Sequence, residues 1–85
     1  MKIIAVKYLS DYKLEVKFAN GKIVIADFEN FITSAQNPMI TQFANKTKFR
    51  KVKIEAGFLT WGDGEMEISA LSVYEKYNTK SKIES

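Results

Sequence analysis

The densest group of chemically active side chains lies in KTKFRKVK, where Lys46, Lys48, Arg50, Lys51 and Lys53 surround Phe49. Cations packed this closely can neutralise phosphates, and an aromatic ring among them can stack on a base. The segment is therefore the chain's candidate contact for nucleic acid or a protein partner. An opposing pattern runs through the same residues. From Arg50 onward they alternate as a strand does, Val52 and Ile54 inward and Lys51 and Lys53 outward, which divides the cations between faces. Phe49 then enters the strand as a core anchor, and the lysines form a solvated face or guard an exposed edge.

A second group is acidic. Asp63, Glu65 and Glu67 occupy alternate positions of GDGEME, a spacing that could hold a hard cation. The ligand pattern of an EF-hand loop is absent, and Gly62 and Gly64 interleaved with negative charge make a poor phosphate cradle. A solvated turn accounts for the loop. Asp27 could act as a general acid or base, but no partner accompanies it. Phe28, Phe31, Ile32 and Ala35 follow at helical spacing and make it a helix N-cap or turn acceptor instead. Trp61, the only tryptophan, is either a recognition platform or a core anchor, and in so small a chain the core has the stronger claim. With no histidine and no cysteine, disulfides, thiolate and imidazole metal sites, and catalysis by either group are excluded. No catalytic, metal or cofactor site is expected, and the chain reads as a non-enzyme.

These residues must be positioned by a single small domain. A chain of 85 residues buries only about 60–65% of the surface its unfolded form exposes. Apolar content of 46% and charged content of 27% are ordinary for a globular protein. A net charge of +3 is too mild to mark a polyanion binder without clustering. Apolar runs are too short to span a membrane, and Lys7, Asp11 and Lys13 interrupt the N-terminal apolar stretch before a signal peptide could form. A cytoplasmic location is the expectation.

Residues 3–9, IIAVKYL, read as a first strand. In residues 12–19, Tyr12, Leu14, Val16 and Phe18 alternate with Lys13, Glu15 and Lys17, the period of a half-buried strand. Asn20-Gly21 predicts a two-residue type I′ turn, which would set Phe18 against Ile23, Val16 against Ile25 and Leu14 against Asp27. Asn37-Pro38 opens a second helix that ends near Asn45, with Met39, Ile40, Phe43 and Ala44 as its buried stripe. Ala56-Gly57 turns the chain from a fourth strand into a fifth, FLTW. Ser69 caps a closing helix with Leu71, Val73, Tyr74 and Tyr77 in contact with the core.

In order and spacing, these residues resemble a family of small bacterial domains known only as a domain of unknown function. The resemblance rests on Tyr12, Leu14, Val16, Phe18, Asn20 and Gly21, then Asp27 and Phe43 or Phe49, then Trp61, Asp63, Gly64, Ile68, Ser69, Val73 and Tyr74. It covers the chain to about Lys76, and Glu65-Met66-Glu67 is slightly longer than the family's common form. It implies a compact α+β unit, alone or fused ahead of a helix-turn-helix. Stand-alone members are encoded beside another small protein, which implies a toxin–antitoxin-like pairing. The motif carries no catalytic residue.

The expected fold is α+β, with about five antiparallel strands in the order β-β-β-α-α-β-β-α, a domain over residues 1–77 and a flexible tail over residues 78–85. The expected function is a non-catalytic protein-interaction module, an antitoxin-like partner in a small two-protein system, with a homodimer open to it. The first alternative is a nucleic-acid accessory protein using residues 46–53, and the last is an enzyme whose site the residues do not reveal.

Overall fold

The computed structural model describes residues 1–78, so most of the expected tail lies outside the described residues. Two three-stranded antiparallel sheets share one core. The first is β1 (Ile3–Ser10), β2 (Lys13–Phe18) and β3 (Ile23–Asp27), in that order. The second is β4 (Lys53–Glu55), β5 (Phe58–Trp61) and β6 (Met66–Ile68). Between them run α1 (Glu29–Thr33), α2 (Pro38–Thr41), a 3-10 turn (Gln42–Ala44) and α3 (Lys46–Phe49). The chain closes with α4 (Ala70–Asn78). The α+β class stands, with six strands in two sheets among the described residues rather than about five in one.

The added strand is β6. Met66 lies opposite Trp61 and is buried, so the chain resumes pairing directly after Glu65 instead of staying in a solvated loop. The added helix is α3, whose first turn is capped by the Asn45 side chain accepting from the Lys48 amide. The strand expected from Arg50 therefore starts only at Lys53.

The β2–β3 hairpin also differs from expectation. The Gly21 amide donates to the Phe18 carbonyl, and the Phe18 amide donates to the Lys22 carbonyl. Gly21 sits at φ +91°, whereas Asn20 is not at positive φ. This is a three-residue loop with a G1-type bulge, not a two-residue type I′ turn. The extra residue slips the register by one, pairing Val16 with Val24 and Leu14 with Ala26. Val24 and Ala26 thus enter the core, while Ile23 and Ile25 face solvent. The turn with positive φ at both central residues is found instead at Ala56 (φ 49°) and Gly57 (φ 86°), joining β4 to β5.

The core gathers around Trp61, Phe18, Phe28 and Phe49. Leu14, Val16, Val24 and Ala26 reach it from the first sheet, Leu59 and Met66 from the second, Ile32 from α1, and Ala70 and Val73 from α4. On α4 the inward stripe is Ala70, Val73, Tyr74 and Tyr77; Leu71 lies off it and is exposed. Met39 of α2 is likewise exposed, leaving Phe43 as that segment's buried anchor. The sheets are joined at their edge by β1, where the Ile3 amide donates to the Gly57 carbonyl at 2.8 Å and the Ala19 amide donates to the Lys2 carbonyl at 2.9 Å.

Candidate functional site

The five cations of residues 46–53 do not form one patch. Lys46 opens α3 and points back to the β1–β2 turn, where its ammonium meets the Asp11 carboxylate at 3.0 Å and lies over the Tyr12 ring. That pairing holds the Asp11 carboxyl below its ordinary range and pushes Lys46 up, through the hydrogen bond first and the opposite charge second. Arg50 follows α3 at its C-cap, with its guanidinium over the Tyr8 ring, 5.3 Å from its centre. Phe49, between them, is buried as expected and stacks on Trp61.

The other three cations gather elsewhere. Lys48, Lys51 and Lys53 line an open cleft of about 550 Å³ with Gln42, Phe43, Gly62, Asp63 and Glu65. Lys48 Nζ reaches Gln42 Oε1 at 3.4 Å. The acidic turn thus lines the same cleft as the lysines, an arrangement hidden from sequence because the second sheet must fold back to bring the two stretches together. Mixed charge around the cleft weakens its attraction for phosphate.

The remaining singled-out residues make contacts within the fold. Asp27 Oδ1 accepts from the Glu29 amide at 3.0 Å, taking one of the free N–H groups at the start of α1. Trp61 is fully buried, and its indole Nε1 donates to the Phe49 carbonyl. Asp63 and Gly64 occupy the turn between β5 and β6, with Gly64 at φ 85°. Ser69 Oγ accepts from the Ser72 amide at 3.1 Å and caps α4. Tyr74 packs edge-on against Phe18 with ring centres 5.1 Å apart. Among the described residues, no group of histidine, cysteine or carboxylate side chains could hold a metal ion, and no helix is long and apolar enough to cross a membrane.

The surface that sequence reasoning missed is the open face of the first sheet. Ile23 and Ile25 on β3 are each 52% exposed, and Ile4, at the irregularity in β1, is 55% exposed. Beside them, Ala5, Lys17 and Ile23 form one cross-strand row, and Lys7, Glu15 and Ile25 form the next. Lys13 lies opposite Asp27. KIVIAD has apolar residues at four consecutive positions, so alternation alone could not choose its inward face; loop length chose it.

Fold and surface together define a small two-sheet α+β domain with an open, partly apolar sheet face. The chain belongs to the family described as "Protein of unknown function (DUF2442)", which it matches over residues 3–79. No curated protein and no solved structure gives a significant match to it.

Proposed function

We propose that this protein is a non-catalytic protein-interaction module whose contact surface is the open face of β1–β2–β3. One observation carries the reading: Ile23 and Ile25, alternating with the buried Val24 and Ala26, are each more than half exposed on the side of the sheet away from the core, and Ile4 is more than half exposed at the irregularity in β1. Isoleucine gains little on a solvated strand face beyond its β propensity, whereas neighbouring isoleucines bordered by Lys7, Lys17 and Glu15 suit a surface that is covered by a partner. The finer reading is the neutralising, antitoxin-like member of a two-protein system, supported by the pairing that the sequence resemblance implies.

The test is co-expression with the product of the adjacent gene, followed by gel filtration. Co-elution that is lost in an Ile4→Glu/Lys7→Glu double variant of unchanged circular dichroism is the expected result. Separate elution of the two wild-type proteins would count against the reading.

A second reading, nucleic-acid binding, is favoured by the convergence of Lys48, Lys51 and Lys53 on one cleft. It requires binding to a labelled duplex that weakens steeply with salt, and a smaller salt slope when Lys48 and Lys51 are replaced by alanine. Absence of binding at low salt removes it.

A further inference from the structure

β3 is an edge strand, and its outward side chains are not those that normally protect an edge. Lysine, proline or a short bulged strand usually blocks pairing there. Here the solvent-facing residues are Ile23, Ile25 and Asp27. The backbone reads the same way. The Phe18 amide bonds the Lys22 carbonyl, and the ladder then pairs Val16 with Val24 and Leu14 with Ala26. In an antiparallel ladder, hydrogen-bonded positions alternate. Lys22, Val24 and Ala26 therefore direct their N–H and C=O groups toward β2, while Ile23, Ile25 and Asp27 direct theirs outward, where no described strand lies.

From this we infer that β3 pairs antiparallel with β3 of a second copy of this chain, Ile23 lying opposite the partner's Ile25. The inference rests on the reading of the β1–β2–β3 face as an interaction surface and names one of its occupants.

The register follows from side chains and charge. A two-fold axis at Val24 places Ile23 against the partner's Ile25 and Ile25 against the partner's Ile23, an isologous contact. Both opposed positions belong to the outward set of backbone groups, so each can make reciprocal hydrogen bonds. On the open face the rows become Ala5–Lys17–Ile23 continued by the partner's Ile25, Glu15 and Lys7. The isoleucine cluster is then flanked by a cation on one side and an anion on the other, with no like charges facing across the seam. The neighbouring register, centred on Ile25, sets Asp27 against the partner's Ile23 and desolvates a carboxylate beside an apolar side chain. A shift by one residue mismatches the outward backbone groups. A second copy therefore satisfies both backbone and charge, and it extends the open face into one six-stranded sheet. The seam is short, so association belongs at the weak end of the interface range.

The absence of cysteine gives a direct test. Ile23→Cys and Ile25→Cys variants are made singly and oxidised mildly, alone and as an equimolar mixture. Opposed residues at a hydrogen-bonded position lie about 5.5 Å apart at Cα, within disulfide reach, whereas the diagonal positions do not. The mixture should form several-fold more covalent dimer than either variant alone. In parallel, light scattering of the wild-type protein from about 10 μM to about 1 mM should show mass rising toward twice the 9.7 kDa chain, and Ile25→Lys should abolish the rise while keeping the circular dichroism spectrum. A wild-type mass constant at the monomer value overturns the inference, as does equal cross-linking in the single variants and the mixture. Both measurements use this chain alone, so their failure is separate from failure to co-elute with a different protein.

Discussion

Trp61 and Phe49 hold each other twice. Their rings stack with centres 5.7 Å apart at an interplanar angle of 25°, and the indole Nε1 donates a 2.8 Å hydrogen bond to the Phe49 carbonyl. The last residue of α3 is thereby fixed to the last residue of β5, and Phe28 and Phe43 close around the pair. A buried N–H that would be costly unpaired is satisfied by the segment that its ring packs against.

Trp61→Phe should therefore cost more than its lost area. It leaves a void and removes the Phe49 carbonyl's buried donor, for a combined loss of about 3 kcal/mol. Urea unfolding followed by far-ultraviolet circular dichroism measures it. A loss under about 1 kcal/mol would mean that the hydrogen bond and stacking contribute little.

Thr60 gives the opposite sign. It is 1% exposed, and its hydroxyl has no hydrogen-bond partner. Thr60→Val keeps the shape and removes the unsatisfied oxygen, so a gain of about 1 kcal/mol is expected. A melting temperature that falls instead would show that the hydroxyl is solvated or bonded in solution.

Ala56 holds a left-handed backbone at φ 49° without the freedom of glycine. Ala56→Gly should raise stability by up to about 1 kcal/mol, or about 4–8 °C in a domain of this size. Gly57→Ala should lower it, because the added methyl would lie 2.8 Å from Lys2 Cγ as well as being strained at φ +86°. Paired thermal melts check both.

The Asp11–Lys46 pair makes a pH prediction with a definite sign. Asp11 is depressed in the folded state, so its contribution is present above its ordinary value of 3.8 and is lost as pH falls through the folded value. Lys46 is raised, so its contribution is present below 10.5 and is lost as pH rises through the folded value. Both groups are solvated, and salt should shrink the effect. Tyr77 adds a further alkaline loss. Burial, and then the negative charge of Asp27, raise its phenol above 10.0, so stability present below that value disappears as the phenol ionises. Stability measured against pH should fall less at the alkaline end in Tyr77→Phe, and Lys46→Met should flatten both ends.

Much of this was legible in the residues. The alternation from Tyr12 to Phe18, the Asn37-Pro38 helix start, the Ser69 cap and the burial of Phe49 and Trp61 all follow from local chemistry, and the structure has them. The β2–β3 register was not legible. A type I′ turn and a bulged three-residue loop suit the same Asn20-Gly21, and both faces of KIVIAD are apolar enough to be buried. Leu71 could have been set aside from sequence, since Ala70, Val73, Tyr74 and Tyr77 already complete a helical stripe without it. The meeting of Lys48, Lys51 and Lys53 with Asp63 and Glu65 depends on how the second sheet folds back, and no local pattern encodes it.

The joint at Ile3 carries a consequence for motion. The Ile3 amide spans to the Gly57 carbonyl while the Lys2 carbonyl receives the Ala19 amide, so one short stretch of backbone stitches a turn of each sheet. If the sheets open as separate cooperative units, that stitch breaks before either ladder does. The Ile3 amide is then a single-site gauge of the opening, and its hydrogen-exchange rate measured against that of the central β2 amides tells whether the domain breathes as one body or two.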